Sequence, residues 1–184
     1  MYMTVVHEND TLFVKALAFA VNAHQGQYRH YSKQEFVYHP VRVSERVLKH
    51  FSSHDDIDVL RAAAVLHDVI EDTWVTYTDI EQHFEAPIPR IVSELTEDKS
   101  LPKPERTKKY REQLKHASEH AAIIKLMDIA DNAEDAMPDK ERYKAYLEKS
   151  IVTINVLSAP SEAFKSQKKR VYDSLSAKKQ RIDG

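Results

Sequence analysis

Apolar residues recur along most of this chain at the three-and-four spacing that lines one face of a helix. Phe13, Val14, Leu17, Ala18 and Val21 form the first such stripe, with Asp10 placed to cap it and Gly26 just past its end. Segment 27–38 breaks the pattern. Its Tyr28, Tyr31, Phe36, Val37 and Tyr38 have β-like, aromatic character, which predicts a short hairpin or an irregular loop. Pro40 suits the first turn of a second helix carrying Val43, Val47 and Phe51. A third helix is predicted over 55–72. Its centre, Ala62, Ala63, Ala64, Val65 and Leu66, is apolar on every side, as in a buried central helix. Thr78 and Glu81 read as a capping box opening a short fourth helix. A fifth covers 87–97, and a basic sixth covers 105–115. The seventh, over 118–136, is apolar at Ala121, Ala122, Ile123, Ile124, Leu126 and Met127. Asp139 starts the eighth, which runs to Leu157, and a last helix covers 160–178. From Ser176 onward the tail is expected to fray. The pattern is all-α, with about nine helices. It shows no linker or repeat, so 1–184 reads as one domain with its core over 10–157.

Composition narrows the chemistry. Two glycines, Gly26 and Gly184, cannot build a glycine-rich phosphate loop, so Rossmann and P-loop sites are excluded. With no cysteine there is no disulfide, thiolate ligand or thiol nucleophile, and a cytoplasmic setting is the expectation. Met1 to Asp10 has no long apolar run, so no signal peptide and no membrane partner are expected. A formal charge of −2, from 27 basic and 29 acidic residues, gives no global pull toward nucleic acid. Oligomeric state is left open.

Two conflicts within this pattern carry the functional signal. Directly after the apolar run ending at Leu66 come His67, Asp68, Glu71 and Asp72. Burying four ionisable groups is costly unless something compensates. A divalent cation would relieve the repulsion among three close carboxylates. In the seventh helix Asp128 follows an apolar run, with Asn132 one turn on. His39, ahead of the stiffening Pro40, is the third element. Histidine and carboxylate donors without sulfur suit Mn²⁺, Fe²⁺ or Zn²⁺. A lone histidine or an acidic helix end is usually only core or solvated surface. The ordered set is what points to a hydrolytic metal site.

Four motifs in order resemble the hydrolase domain of RelA/SpoT proteins, an HD-type fold. They are Ala23, His24, Gly26, Gln27 and Arg29; then Phe36, His39 and Pro40; then Leu66 to Thr73; then Lys125, Asp128 and Asn132. The stretch from Thr96 to Arg106 is similar to the stand-alone metazoan SpoT homologue group. The resemblance implies one Mn²⁺ ion and removal of the 3′-diphosphate from (p)ppGpp. It implies metal ligands His39, His67, Asp68 and Asp128, and a catalytic pair Glu71 and Asp72. It implies substrate contacts from Arg29, His30, Asn132, Lys103, Arg106, Arg142 and Tyr146. The chain departs from the family's usual residues at His30, Met127, Ile129 and Asp131. The rivals are a phosphatase acting on (pp)pApp, NADPH or a nucleoside monophosphate, a non-catalytic alarmone-binding module, and a helical nucleic-acid binder. The last rests only on short runs such as Lys168, Lys169 and Arg170, which usually form solvated faces.

Overall fold

The computed structural model describes residues 11–135 and 138–183. Among them lie ten helices: α1 (Leu12–Ala23), α2 (Tyr38–Phe51), α3 (Ile57–Leu66), α4 (Val69–Asp72), α5 (Tyr77–His83), α6 (Ile88–Leu95), α7 (Lys103–Lys115), α8 (Glu119–Asn132), α9 (Lys140–Val156) and α10 (Glu162–Asp183). No helix of the described residues is long and apolar enough to cross a membrane.

The helix boundaries follow capping chemistry, and several expectations shift. Asp10 lies outside the described residues, and the Thr11 hydroxyl caps α1 by accepting from the Val14 N–H at 3.3 Å. The capping box of α5 is built by Thr76 and Asp79, two residues earlier than the expected Thr78 and Glu81. Thr76 Oγ1 accepts from Asp79 N at 3.3 Å, and the Asp79 carboxylate accepts from Thr76 N at 2.8 Å. The tail expected to fray from Ser176 is helical as far as Asp183, where Lys144 reaches its carboxylate at 2.5 Å, and Gly184 lies outside the described residues. Segment 27–38 folds as a small hairpin closed by one antiparallel bridge, Tyr28 to Glu35. Gly26, at φ +77, makes the left-handed turn that leads into it.

The third predicted helix is two helices. The backbone breaks at His67 and Asp68, between α3 and α4. His67 Nδ1 lies 2.7 Å from the Ala64 carbonyl oxygen, so the side chain takes an acceptor that a continuing helix would use. The i, i+4 relation between His67 and Glu71 is therefore not one along a continuous helix.

Helix α3 is the hub, as its apolar centre predicts. Leu60, Ala63 and Ala64 join one hydrophobic cluster shared with α2, α6, α7, α8, α9 and α10. Ala62, Val65 and Leu66 join a second, shared with α1, α4, α5 and α6. All six are fully buried. Small alanines let α1 and α2 pack closely on opposite sides. The end of α3 is thus fixed from two directions, and the first polar residue after its apolar run, His67, comes out beside α2 and α8.

Candidate metal centre and its cleft

His67 and His39 are held by different kinds of acceptor. A carbonyl oxygen can only accept, so His67 Nδ1 donates to Ala64 and the lone pair of neutral His67 sits on Nε2. That Nε2 is buried and has no hydrogen-bond partner. His39 Nδ1 donates to the buried Asp131 carboxylate at 2.8 Å, which leaves its Nε2 facing Asp128 Oδ1 at 3.1 Å. The donor atoms of His39, His67 and Asp128 all lie within 4.8 Å of one another, and all three residues are buried. Asp68 adjoins them, 3.2 Å from His67 Nε2 and 3.7 Å from His39 Nε2.

Two imidazole nitrogens facing two carboxylates form a donor set that fits a divalent cation of intermediate hardness. His67 Nε2 is buried and makes no well-aligned hydrogen bond although Asp68 Oδ1 lies 3.2 Å away, and this crowding of nitrogens and carboxylates without a bonded partner is the decisive observation. Electrostatics agree. Burial pushes the His67 imidazole down, but Asp68 and Asp128 outweigh it and lift it to about 9. Burial likewise opposes a charged His39, and Asp128 and Asp131 outweigh it, raising that imidazole too. The carboxylates there call for a positive charge. A second group, His54, Asp56 and His120, lies at the surface and lacks this burial.

A cleft of about 270 Å³ opens onto these donors. Glu71 and Asp72, on α4, line it together with Arg29, Asn132 and Tyr146. Burial pushes the Glu71 carboxyl above the ordinary glutamate range. Its Oε2 accepts from the Glu97 N–H at 3.2 Å. Lys99 donates to the Glu71 carbonyl at 2.7 Å and to Asp72 Oδ1 at 2.5 Å. Gln27, from the hairpin, donates to the Asp72 carbonyl at 2.7 Å. Asn132 donates to Asp128 Oδ1 at 2.5 Å and accepts from Arg29 at 2.5 Å.

The sequence profile of the family described as HD domain matches residues 16–180. The chain belongs to the HD domain family. Among its relatives is the mouse guanosine-3′,5′-bis(diphosphate) 3′-pyrophosphohydrolase MESH1, 34% identical over 167 residues that cover 87% of this chain and 92% of that one. The human protein of that name is 41% identical over 123 residues, 66% of this chain and 68% of that one. A solved structure described as a metazoan ortholog of SpoT that hydrolyzes ppGpp superposes with a TM-score of 0.77 at 27% identity, covering 92% of this chain and 98% of that one.

Within this HD chain, four residues that the sequence suggests as substrate contacts are not among those lining the cleft. His30 is exposed and packs edge-on against Tyr31. Lys103 is exposed at the start of α7. Arg106 turns back to the Leu101 carbonyl at 3.1 Å, bracing loop 96–102. Arg142 pairs with Asp139 at 3.4 Å. The cations that line the cleft are Arg29, Arg111, Lys125 and Lys149. Lys125 donates to Asp128 Oδ2 at 2.8 Å. Arg111 and Lys149 carry no motif and are legible only once α7 and α9 come together. Asp131 was visible in the sequence as a departure from the family pattern. Its position three residues after Asp128 is the signal that could have marked it as a partner of the site.

Proposed function

We propose that this chain is a Mn²⁺-dependent 3′-pyrophosphohydrolase acting on guanosine 3′,5′-bis(diphosphate). The observation that carries the reading is the buried set His39, His67 and Asp128 beside Asp68, in a chain whose relatives bear that activity in their names. In this reading His39, His67, Asp68 and Asp128 hold one ion. When bound, the ion supplies positive charge that polarises the phosphate and lowers the pKa of water.

The chain's own groups supply the rest. A water oxygen bonds to the phosphorus next to ribose O3′, the O3′–P bond breaks, and O3′ takes up a proton. Glu71 accepts the water's proton in this reading: it lines the cleft beside Asp68, and burial holds its carboxyl above the ordinary glutamate range. Asp72 is held by Lys99 and Gln27 and orients the water beside it. The Arg29 guanidinium, 5.6 Å from the centroid of Phe36, whose ring is stacked on His24 at 4.7 Å, offers its own plane for the base. Asn132 connects that surface to Asp128.

The test is product analysis. Purified protein with Mn²⁺ is given guanosine and adenosine 3′,5′-bis(diphosphates), and products are identified by ion-exchange chromatography. Pyrophosphate and the 5′-diphosphate nucleoside are the expected products. Orthophosphate as the sole inorganic product, or no turnover, overturns the reading.

A further inference from the structure

Among the described residues, each arginine or lysine lining the cleft has an internal partner except Arg111. Arg29 is paired with Asp135 at 2.7 Å, and Lys125 with Asp128 at 2.8 Å. Lys149 makes a weaker pair with Glu97 at 3.5 Å. Arg111 is half-buried, its Nε is buried without a hydrogen bond, and no carboxylate of the described residues forms an ion pair with it. The Nε is closed off from water while no described residue bonds the guanidinium, and an anion entering the cleft would supply the partner.

The surroundings fit an anion. On α7, Arg111 shares a face with Thr107 one turn before it, and both line the cleft. On α9, which packs against α7, Lys149 and Thr153 share the facing stripe and line the same cleft. The donors His39, Asp68 and Asp128 line the same cleft. Lys125, bound to Asp128, lies 5.3 Å from the ring centroid of Tyr110, and Arg111 follows Tyr110 in the chain.

We propose that Arg111 and Lys149 form a second anion subsite, which takes the 5′-phosphate end of a nucleotide whose 3′-end lies at the donor cluster. The inference deepens the proposed function and rests on it for the placement of the 3′-end. A guanidinium makes two parallel hydrogen bonds to a phosphate, and the lysine adds a point charge. The subsite selects nucleotides phosphorylated at both ends over those phosphorylated at C3′ alone.

Steady-state kinetics would compare guanosine 3′,5′-bis(diphosphate) with a guanosine 3′-diphosphate bearing a free 5′-hydroxyl, in wild type, Arg111→Met, Arg111→Lys and Lys149→Met. Lys108→Met, on the exposed side of α7, controls for general surface charge. Arg111→Met should raise KM for the doubly phosphorylated substrate by about tenfold or more, with kcat nearly unchanged. It should leave KM for the 5′-hydroxyl analogue unaltered. Arg111→Lys should recover part of the loss, and Lys149→Met should show a smaller rise of the same kind. An equal rise for both substrates places Arg111 at the 3′-end and overturns the proposal, as does no rise. Calorimetric binding of guanosine 5′-diphosphate, compared with guanosine, is read in parallel and does not depend on turnover. If wild type turns over neither nucleotide, the proposed function fails. The subsite then stands only if Arg111→Met still weakens binding of the 5′-diphosphate.

Discussion

The donor cluster and the α7–α9 side of the cleft are built on opposite principles. At the donor cluster nearly every charge is tied to another. Asp131 alone accepts from His39, Arg42 and Arg46 at 2.8, 2.9 and 3.2 Å. On the α7–α9 side, no described residue pairs with Arg111, whose Nε is buried without a hydrogen bond. A site that must hold a cation through every turnover gains from ligands fixed in advance. A site that must admit and release an anion gains from a group whose partner is the ligand itself.

The largest expected effect tests whether the first region is a metal site at all. His67→Ala removes the buried Nε2 and should abolish both Mn²⁺ binding, read by electron paramagnetic resonance, and turnover. Retained binding would remove the basis for the comparison. Glu71→Gln separates chemistry from binding. It should keep the ion and lower kcat by about 10²–10⁴-fold. Loss of the ion in that variant would show Glu71 to be a ligand and not a proton acceptor.

The two regions also differ in how far the sequence exposes them. The buried α3 and the conflict that His67, Asp68, Glu71, Asp72 and Asp128 make with their apolar runs are legible in the pattern, while the inclusion of His39 and the division into ligands and acidic pair come from the resemblance. The conflict is local, so spacing alone reveals it. The break at His67 is not legible, because it depends on where one imidazole finds its acceptor. The same holds for Arg111 and Lys149. They lie on separate helices and read as solvated basic residues until α7 meets α9. Lys103 and Arg106 show the reverse, since their place in a motif-like segment does not bring them into the cleft.

Asp131 sharpens the contrast further. Its carboxylate fixes the tautomer and orientation of His39, and Arg42 and Arg46 share its charge from the other side. Asp131→Asn keeps an acceptor for His39 Nδ1–H but removes the charge. Mn²⁺ affinity should fall by about ten- to a hundredfold, as for partners of metal-bound histidines. Affinity should return when Mn²⁺ is raised, with kcat close to wild type. An unchanged dissociation constant, measured by chelator competition, would mean that Asp131 serves only to bind Arg42 and Arg46.

The smallest effect concerns the loop between the two regions. Lys99 reaches from loop 96–102 to the Asp72 carboxylate and the Glu71 carbonyl. Its side chain is 46% exposed and that of Asp72 33%, so solvent screens the pair. An exposed pair of this kind is worth at most about 1 kcal/mol, or roughly fivefold in rate. Lys99→Met should therefore lower kcat less than fivefold and leave Mn²⁺ affinity unaltered. A much larger loss in kcat would mean that Lys99 touches the phosphate itself. The loop would then belong to the anion-binding side of the cleft, and the division between a prepaired metal end and an open anion end would have to be redrawn at Asp72.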